Sequence, residues 1–124
     1  IRPALNKGNW VISDRFCGST IAYQGYGRKL DIKLIKDLEM IATQGISPDI
    51  TFLLDIPVEE SIKRRINIKD DRIEKEGRDF LFNVSLGFQA LSEDRKWKKI
   101  SAINSRENIM SEIQSEIKKL IQYE

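Results

Sequence analysis

Between Trp10 and Arg28 the chain reads WVISDRFCGSTIAYQGYGR, and most residues able to do chemistry are gathered there. A short apolar run, Trp10–Ile12, turns polar at Ser13, Asp14 and Arg15. Gly18, Gly25 and Gly27 then space out Ser19, Thr20, Tyr23, Gln24 and Arg28. Arg15 suits a phosphate, because a planar guanidinium donates two parallel hydrogen bonds and stays charged at any working pH. Asp14 suits a magnesium ion or its water shell, since that ion prefers carboxylate and phosphate oxygens. A buried strand closing on an acid and a guanidinium, with a small-residue loop behind it, is how an open α/β sheet offers ligand groups beyond its strands' carboxyl ends. Taken alone, an Asp-Arg pair in this position is more often a structural ion pair than a site. Cys17 has no histidine anywhere in the sequence to activate it and reads as a packing residue rather than a nucleophile.

The elements that must position these groups follow from periodicity. Ile1–Lys7 is helix-like, with Pro3 in its first turn and Gly8 as its stop. Trp10–Ser13 is expected to be the first strand. Asp31 caps a helix in which Ile32, Leu34, Ile35, Leu38, Ile41 and Ala42 recur at helical spacing, and Gly45 ends it. Ile50–Asp55, ITFLLD, is apolar on both faces and reads as a buried parallel strand. Pro57 opens a further helix, with Glu59 and Glu60 favourably placed at its positive end. Another helix is expected to start near Asp71 and to carry Phe80, Val84, Phe88 and Leu91 along one side. Trp97–Ile103 holds the third strand. Ser105 caps a last helix with Ile109, Ile113, Ile117, Leu120 and Ile121 as its buried stripe. The order of strand, helix, strand, helices, strand, helix predicts one α/β domain over residues 1–124, with parallel strands and right-handed crossovers.

Composition narrows the classes. A chain of 124 residues with 40% hydrophobic and 32% charged residues is a globular domain rather than a disordered segment or a membrane span. A net charge of +2 makes no case for nucleic acid, and the basic residues are interleaved with acids and lack a stacking platform. One cysteine forms no internal disulfide, which points to a reducing cytoplasm. Glu59–Asp79 holds seven basic and seven acidic residues, the composition of a solvated, salt-bridged helical face.

The DRF triplet at Asp14–Phe16, then Ser19-Thr20, then AYQG at Ala22–Gly25 with Gly27-Arg28 close behind, resembles the thymidylate kinase family. The charged order KRRINIKDDRIEKEG is similar to that family's lid, here residues 63–76, although Asn67, Ile68 and Lys69 stand where an extra arginine is often seen. The resemblance implies a P-loop kinase-like parallel sheet with flanking helices. It also implies transfer of the γ-phosphoryl group of ATP to dTMP, giving dTDP, with Mg2+ as counter-charge and a homodimer as the complete form. By the same resemblance Arg15 clamps the dTMP phosphate and Asp14 lies near the magnesium or its waters. Ser19 and Thr20 then line the base and sugar region. Tyr23 packs at the sugar and Gln24 pairs with the thymine edge. Arg64, Arg65 and Arg72 become the candidates to reach the ATP phosphates, Arg72 with a catalytic part. Glu74 would position a lid arginine or the acceptor sugar, and Arg28 is a surface or hinge residue.

The family's Gly-rich phosphate loop, G-x-x-x-x-G-K-[ST], does not occur in these 124 residues. We therefore expect the chain to be the carboxyl-terminal part of a longer kinase, lacking the amino-terminal strands of its own sheet and inactive alone. Two other readings stand beside this one. They are a kinase for another nucleoside monophosphate, and an inactive nucleotide-binding or assembly module.

Overall fold

The computed structural model describes residues 1–65 and 77–122. Helix α1 spans Arg2–Leu5, with a proline in its first turn. Gly8, at φ 72°, takes the left-handed turn that lets the chain leave it. Helix α2, Cys17–Thr20, runs straight into a wider π-helical segment, Ile21–Gly27. Helix α3 follows at Ile32–Thr43. Asp31 caps it by accepting from the backbone N–H groups of Lys33 and Leu34, and Gln44 closes it in the left-handed conformation. Strand β1, Phe52–Asp55, leads into α4, Val58–Arg65. Helix α5 spans Arg78–Asp94, strand β2 Lys98–Ser101, and α6 Arg106–Gln122. The Ser105 hydroxyl accepts from the Asn108 N–H at 3.2 Å, the cap its position predicts.

The two strands pair in parallel, Phe52 opposite Lys98 through Asp55 opposite Ser101, so the α/β class and strand direction agree with the sequence. The core, however, lies among the helices. Ile21, Ala22, Ile35, Phe80, Val84 and Leu91 form it, with Tyr23, Tyr26, Ile32, Leu81, Phe88 and Trp97 packed around them. Each fully buried aliphatic or phenyl side chain contributes about 1.5–3 kcal/mol relative to exposure. Arg95 joins α5 to α3 through two parallel bonds to the Glu39 carboxylate, at 2.8 and 2.9 Å. Such forked, charge-assisted pairs fix orientation as well as adding energy. The Lys98 ammonium meets Glu116 of α6 at 3.0 Å and ties the last helix to β2.

Four expectations are corrected. Trp10–Ser13 is not a strand: it runs without regular structure, with Trp10 64% and Ile12 95% exposed. A strand needs a neighbour for its backbone groups, and among the described residues only β1 and β2 are paired. The stretch after it is not a small-residue loop but continuous helix from Cys17 to Gly27. Its glycines serve close packing instead: Gly18 lies against Trp97, and Gly27 against Phe80 and Val84. Strand β1 is not buried on both faces, since Leu54 is exposed. The apolar stripes of α3 and α6 are only partly covered. Ile35 alone of the α3 row is buried, and Ile109, Ile113, Ile117 and Leu120 are half-buried while Ile121 is exposed. Among the described residues no helix is long and apolar enough to cross a membrane.

Gly87 of α5 tests the helix contact. A Cβ there would lie 2.8–2.9 Å from Cβ, Cγ and Cδ2 of Tyr26, the root of the ring, which cannot swing aside. Alanine's better helix propensity offers about 1 kcal/mol. Overpacking costs about 1–3 kcal/mol and should win. Gly87→Ala should therefore lower stability by about 1 kcal/mol or more in urea unfolding. An unchanged or raised midpoint would mean the two helices do not meet at this point.

Candidate functional site

Asp14 and Arg15 stand in an exposed bend between Ser13 and α2. Arg15 has a φ of 69°, a conformation that costs a bulky side chain energy and that collects at functional positions. The Ser13 hydroxyl donates to the Arg15 carbonyl at 2.7 Å and helps hold the turn. The guanidinium it presents lies over the Tyr23 ring, with Cζ 5.7 Å from the centroid, within range of a cation–π contact. Both residues are thus exposed, and the guanidinium is next to the AYQG segment.

Tyr23 is half-buried and is fixed from behind by two rings. Phe80 lies 6.0 Å away at 60°, and Phe88 6.1 Å away at 81°, nearly edge-on. The Phe80 ring in turn carries the Arg28 guanidinium, whose Cζ is 5.4 Å from its centroid. Arg28 Nη1 donates to Gln24 Oε1 at 2.8 Å. The result is one contiguous row: Arg15, Tyr23, Phe80, Arg28, Gln24. Its middle members come from two elements that only the helix packing brings together. The π-helical winding matters here, because such wide turns recur at functional sites and this one carries both Tyr23 and Gln24. Ser19, half-buried, and Thr20, exposed, lie just before it on α2.

The lid candidates divide. Arg64 of α4 donates through Nη1 to the Ala102 carbonyl at 3.1 Å, at the carboxyl end of β2. Arg65 ends α4. Arg72 and Glu74 lie outside the described residues, as does most of the 63–76 segment. At the same sheet end Gln89 of α5 donates to the Asp55 carboxylate at 2.6 Å. Among the described residues no group of three metal-ligating side chains gathers. Asp14 as a single exposed carboxylate fits a magnesium ion that takes its other ligands from phosphates and water, not a metal caged by protein.

Beside Phe16 and Cys17 a cleft of about 480 Å³ opens between Ile1, Arg2, Thr43 and Ile46. Cys17 is half-buried there. Burial, with the Glu39 carboxylate second, pushes its thiol above the ordinary value, while Arg95 acts the other way. A protonated, partly covered thiol agrees with a packing role.

Arg28 and Phe80 of the row, and Phe88 behind Tyr23, are residues that the sequence did not single out. Phe80 and Phe88 were expected only as a helix stripe, and Arg28 as a surface or hinge residue. Arg28 is indeed exposed, yet it is engaged. The signal was present in the spacing: Gln24 and Arg28 are four apart, which brings side chains together only on a helix.

Comparison with known proteins adds an independent line. The thymidylate kinase family model matches residues 1–113. A thymidylate kinase of Prochlorococcus marinus (strain NATL2A) is 83% identical over 121 residues, which cover 98% of this chain and 57% of that protein. One from Prochlorococcus marinus (strain MIT 9313) is 54% identical over 118 residues, covering 95% of this chain and 55% of the relative. One from Synechococcus sp. (strain CC9902) is 52% identical over 122 residues, covering 98% and 58%. The chain spans somewhat more than half the length of these curated relatives.

The environment of Cys17 can be read by alkylation. Glu39→Gln removes a charge that raises the thiol's pKa and releases Arg95, whose charge lowers it. Both changes favour the thiolate, so iodoacetamide labelling at pH 8 should accelerate. Arg95→Gln should slow it. Equal rates in both variants, or the reverse order, would mean that the pair does not face Cys17.

Proposed function

The chain belongs to the thymidylate kinase family, its fold an incomplete P-loop kinase-like α/β architecture, and from that premise we propose that the whole protein transfers the γ-phosphoryl group of ATP to dTMP, giving dTDP. The observation that carries this reading is the gathering around Tyr23: the Arg15 guanidinium lies over its ring, and the Gln24 amide stands beside it on the same helical segment. A nucleoside monophosphate offers one partner to each of the three, a phosphate, a sugar and a base.

In this reading Arg15 takes the dTMP phosphate, its guanidinium already aimed by the Ser13 turn and the Tyr23 ring. Tyr23 packs at the deoxyribose, where a missing 2′-hydroxyl leaves room for a ring. Gln24 meets the thymine edge, and Ser19 and Thr20 line the space between base and sugar. Asp14 would hold magnesium through its waters, and the ion supplies positive charge to the phosphates when bound. Arg64, Arg65 and Arg72 are the lid residues for the ATP phosphates. The Gly-rich loop that would cradle those phosphates does not occur in these 124 residues. Phosphoryl transfer needs little covalent help from protein, so positioning and charge carry the rate. The exposed row Leu34, Leu38 and Ile41 on α3 supports a homodimer for the whole protein.

Steady-state assays of the whole protein with ATP and dTMP test the assignment. Arg15→Ala should raise the KM for dTMP by about 30-fold, the loss of a charge-assisted phosphate contact. The 124-residue chain on its own should show no comparable turnover. A variant with unchanged dTMP kinetics, or full activity in the isolated chain, would contradict the reading.

A further inference from the structure

We propose that Phe88 is a positioning residue for phosphate binding: standing nearly perpendicular to Tyr23, it fixes the ring on which the Arg15 guanidinium rests, and so readies that guanidinium before a ligand arrives. The inference rests on the reading above that Arg15 takes the phosphate of dTMP.

The chain of contacts is short. Arg15 Cζ lies 5.7 Å from the centroid of the Tyr23 ring. A cation is attracted by the face of a ring and not by its edge, so the contact is lost when the ring plane turns away. Two rings of α5 oppose such a turn. Phe80 meets Tyr23 at 60° and Phe88 at 81°, with centroids 6.0 and 6.1 Å away. Neighbours at two different tilts fix the plane of the ring between them. Phe80 has further engagements, since it belongs to the core and carries Arg28 over its own ring. Phe88 is half-buried and packs at the margin of that core. Its neighbour Gly87 lets α5 come this close, because a Cβ there would lie 2.8 Å from Cγ of Tyr26.

A mobile arginine gives up rotamer freedom when it binds an anion, and that loss weakens the affinity. Arg15 is restrained twice beforehand. Its backbone takes a left-handed turn, in which the Ser13 hydroxyl donates to its carbonyl at 2.7 Å. Its guanidinium rests on Tyr23. The first restraint is local in sequence; the second is set by α5. Phe88 therefore acts through Arg15 alone, and its effect belongs to the phosphate and not to the nucleoside.

The test is calorimetric titration of the whole protein with dTMP and with thymidine, the ratio of the two dissociation constants measuring the phosphate advantage. Phe88→Leu should reduce that advantage about threefold, the worth of an exposed cation–π contact, while affinity for thymidine stays within about twofold. Phe88→Tyr, which keeps the ring, should retain the advantage. Tyr23→Leu removes the ring face itself and should reduce it at least as far, which covers the case in which Phe88→Leu fails to fold. In the Arg15→Ala background, Phe88→Leu should leave the ratio where Arg15→Ala put it. An unchanged ratio in Phe88→Leu or Tyr23→Leu, equal losses for dTMP and thymidine, or a threefold loss that persists without Arg15 overturns the inference. If Arg15→Ala loses the phosphate advantage but Phe88→Leu keeps it, only this inference falls. If Arg15→Ala keeps the advantage, the phosphate contact beneath it falls as well.

Discussion

Where Ile21–Gly27 meets α5, glycine faces ring on both sides: Gly27 against Phe80, and Gly87 against Tyr26. This mutual arrangement lets two helices approach closely enough for Phe80 and Val84 to bury themselves beside Ile21 and Ala22. The same approach decides what the opposite surface of the segment can show. With Ile21, Ala22 and Gly25 turned into the core, Tyr23 and Gln24 are carried to its edge, where Arg15 and Arg28 reach them. Core packing and the placement of Tyr23 and Gln24 are therefore one constraint. A substitution that spreads the helices would disturb both, even without touching any residue of the row.

The row itself is economical in its electrostatics. Arg15 and Arg28 each lie over a ring, which favours the cation. Tyr23 and Phe80 touch, so both guanidiniums are referred to the same rigid core. Positive charge is thus placed at fixed points without burying it, which would raise the cost of keeping it. The positive φ of Arg15 fits this picture, since a strained turn is tolerated where neighbours over-determine it.

Much of this was legible in the residues. Asp31 and Ser105 announced their helices by side-chain chemistry and did cap them. Residues 50–55 and 97–103 announced two parallel strands, and β1 and β2 lie within them. Asp14, Arg15, Tyr23 and Gln24 could be singled out because several polar types coincide at fixed offsets. What failed did so for a shared reason: pattern reports what a segment is suited to, not what lies beside it. Trp10–Ile12 has strand composition, yet among the described residues no paired neighbour takes up its backbone groups. Leu34, Leu38 and Ile41 have the spacing of a buried face and are exposed. Gly18, Gly25 and Gly27 looked like a loop because glycine signals turns more often than close helix contacts. Once the segment is seen as helix, Gln24 and Arg28 become neighbours and Phe80 becomes part of the row.

The central claim is that Arg15, braced by Ser13 and Tyr23, receives the phosphate of a thymine nucleotide. Calorimetric titration of the whole protein with dTMP and with thymidine, before and after Arg15→Ala, measures that contact alone. The account predicts that wild type binds dTMP at least about tenfold more tightly than thymidine, and that the variant binds the two nearly equally. A phosphate advantage that survives intact in Arg15→Ala would contradict it.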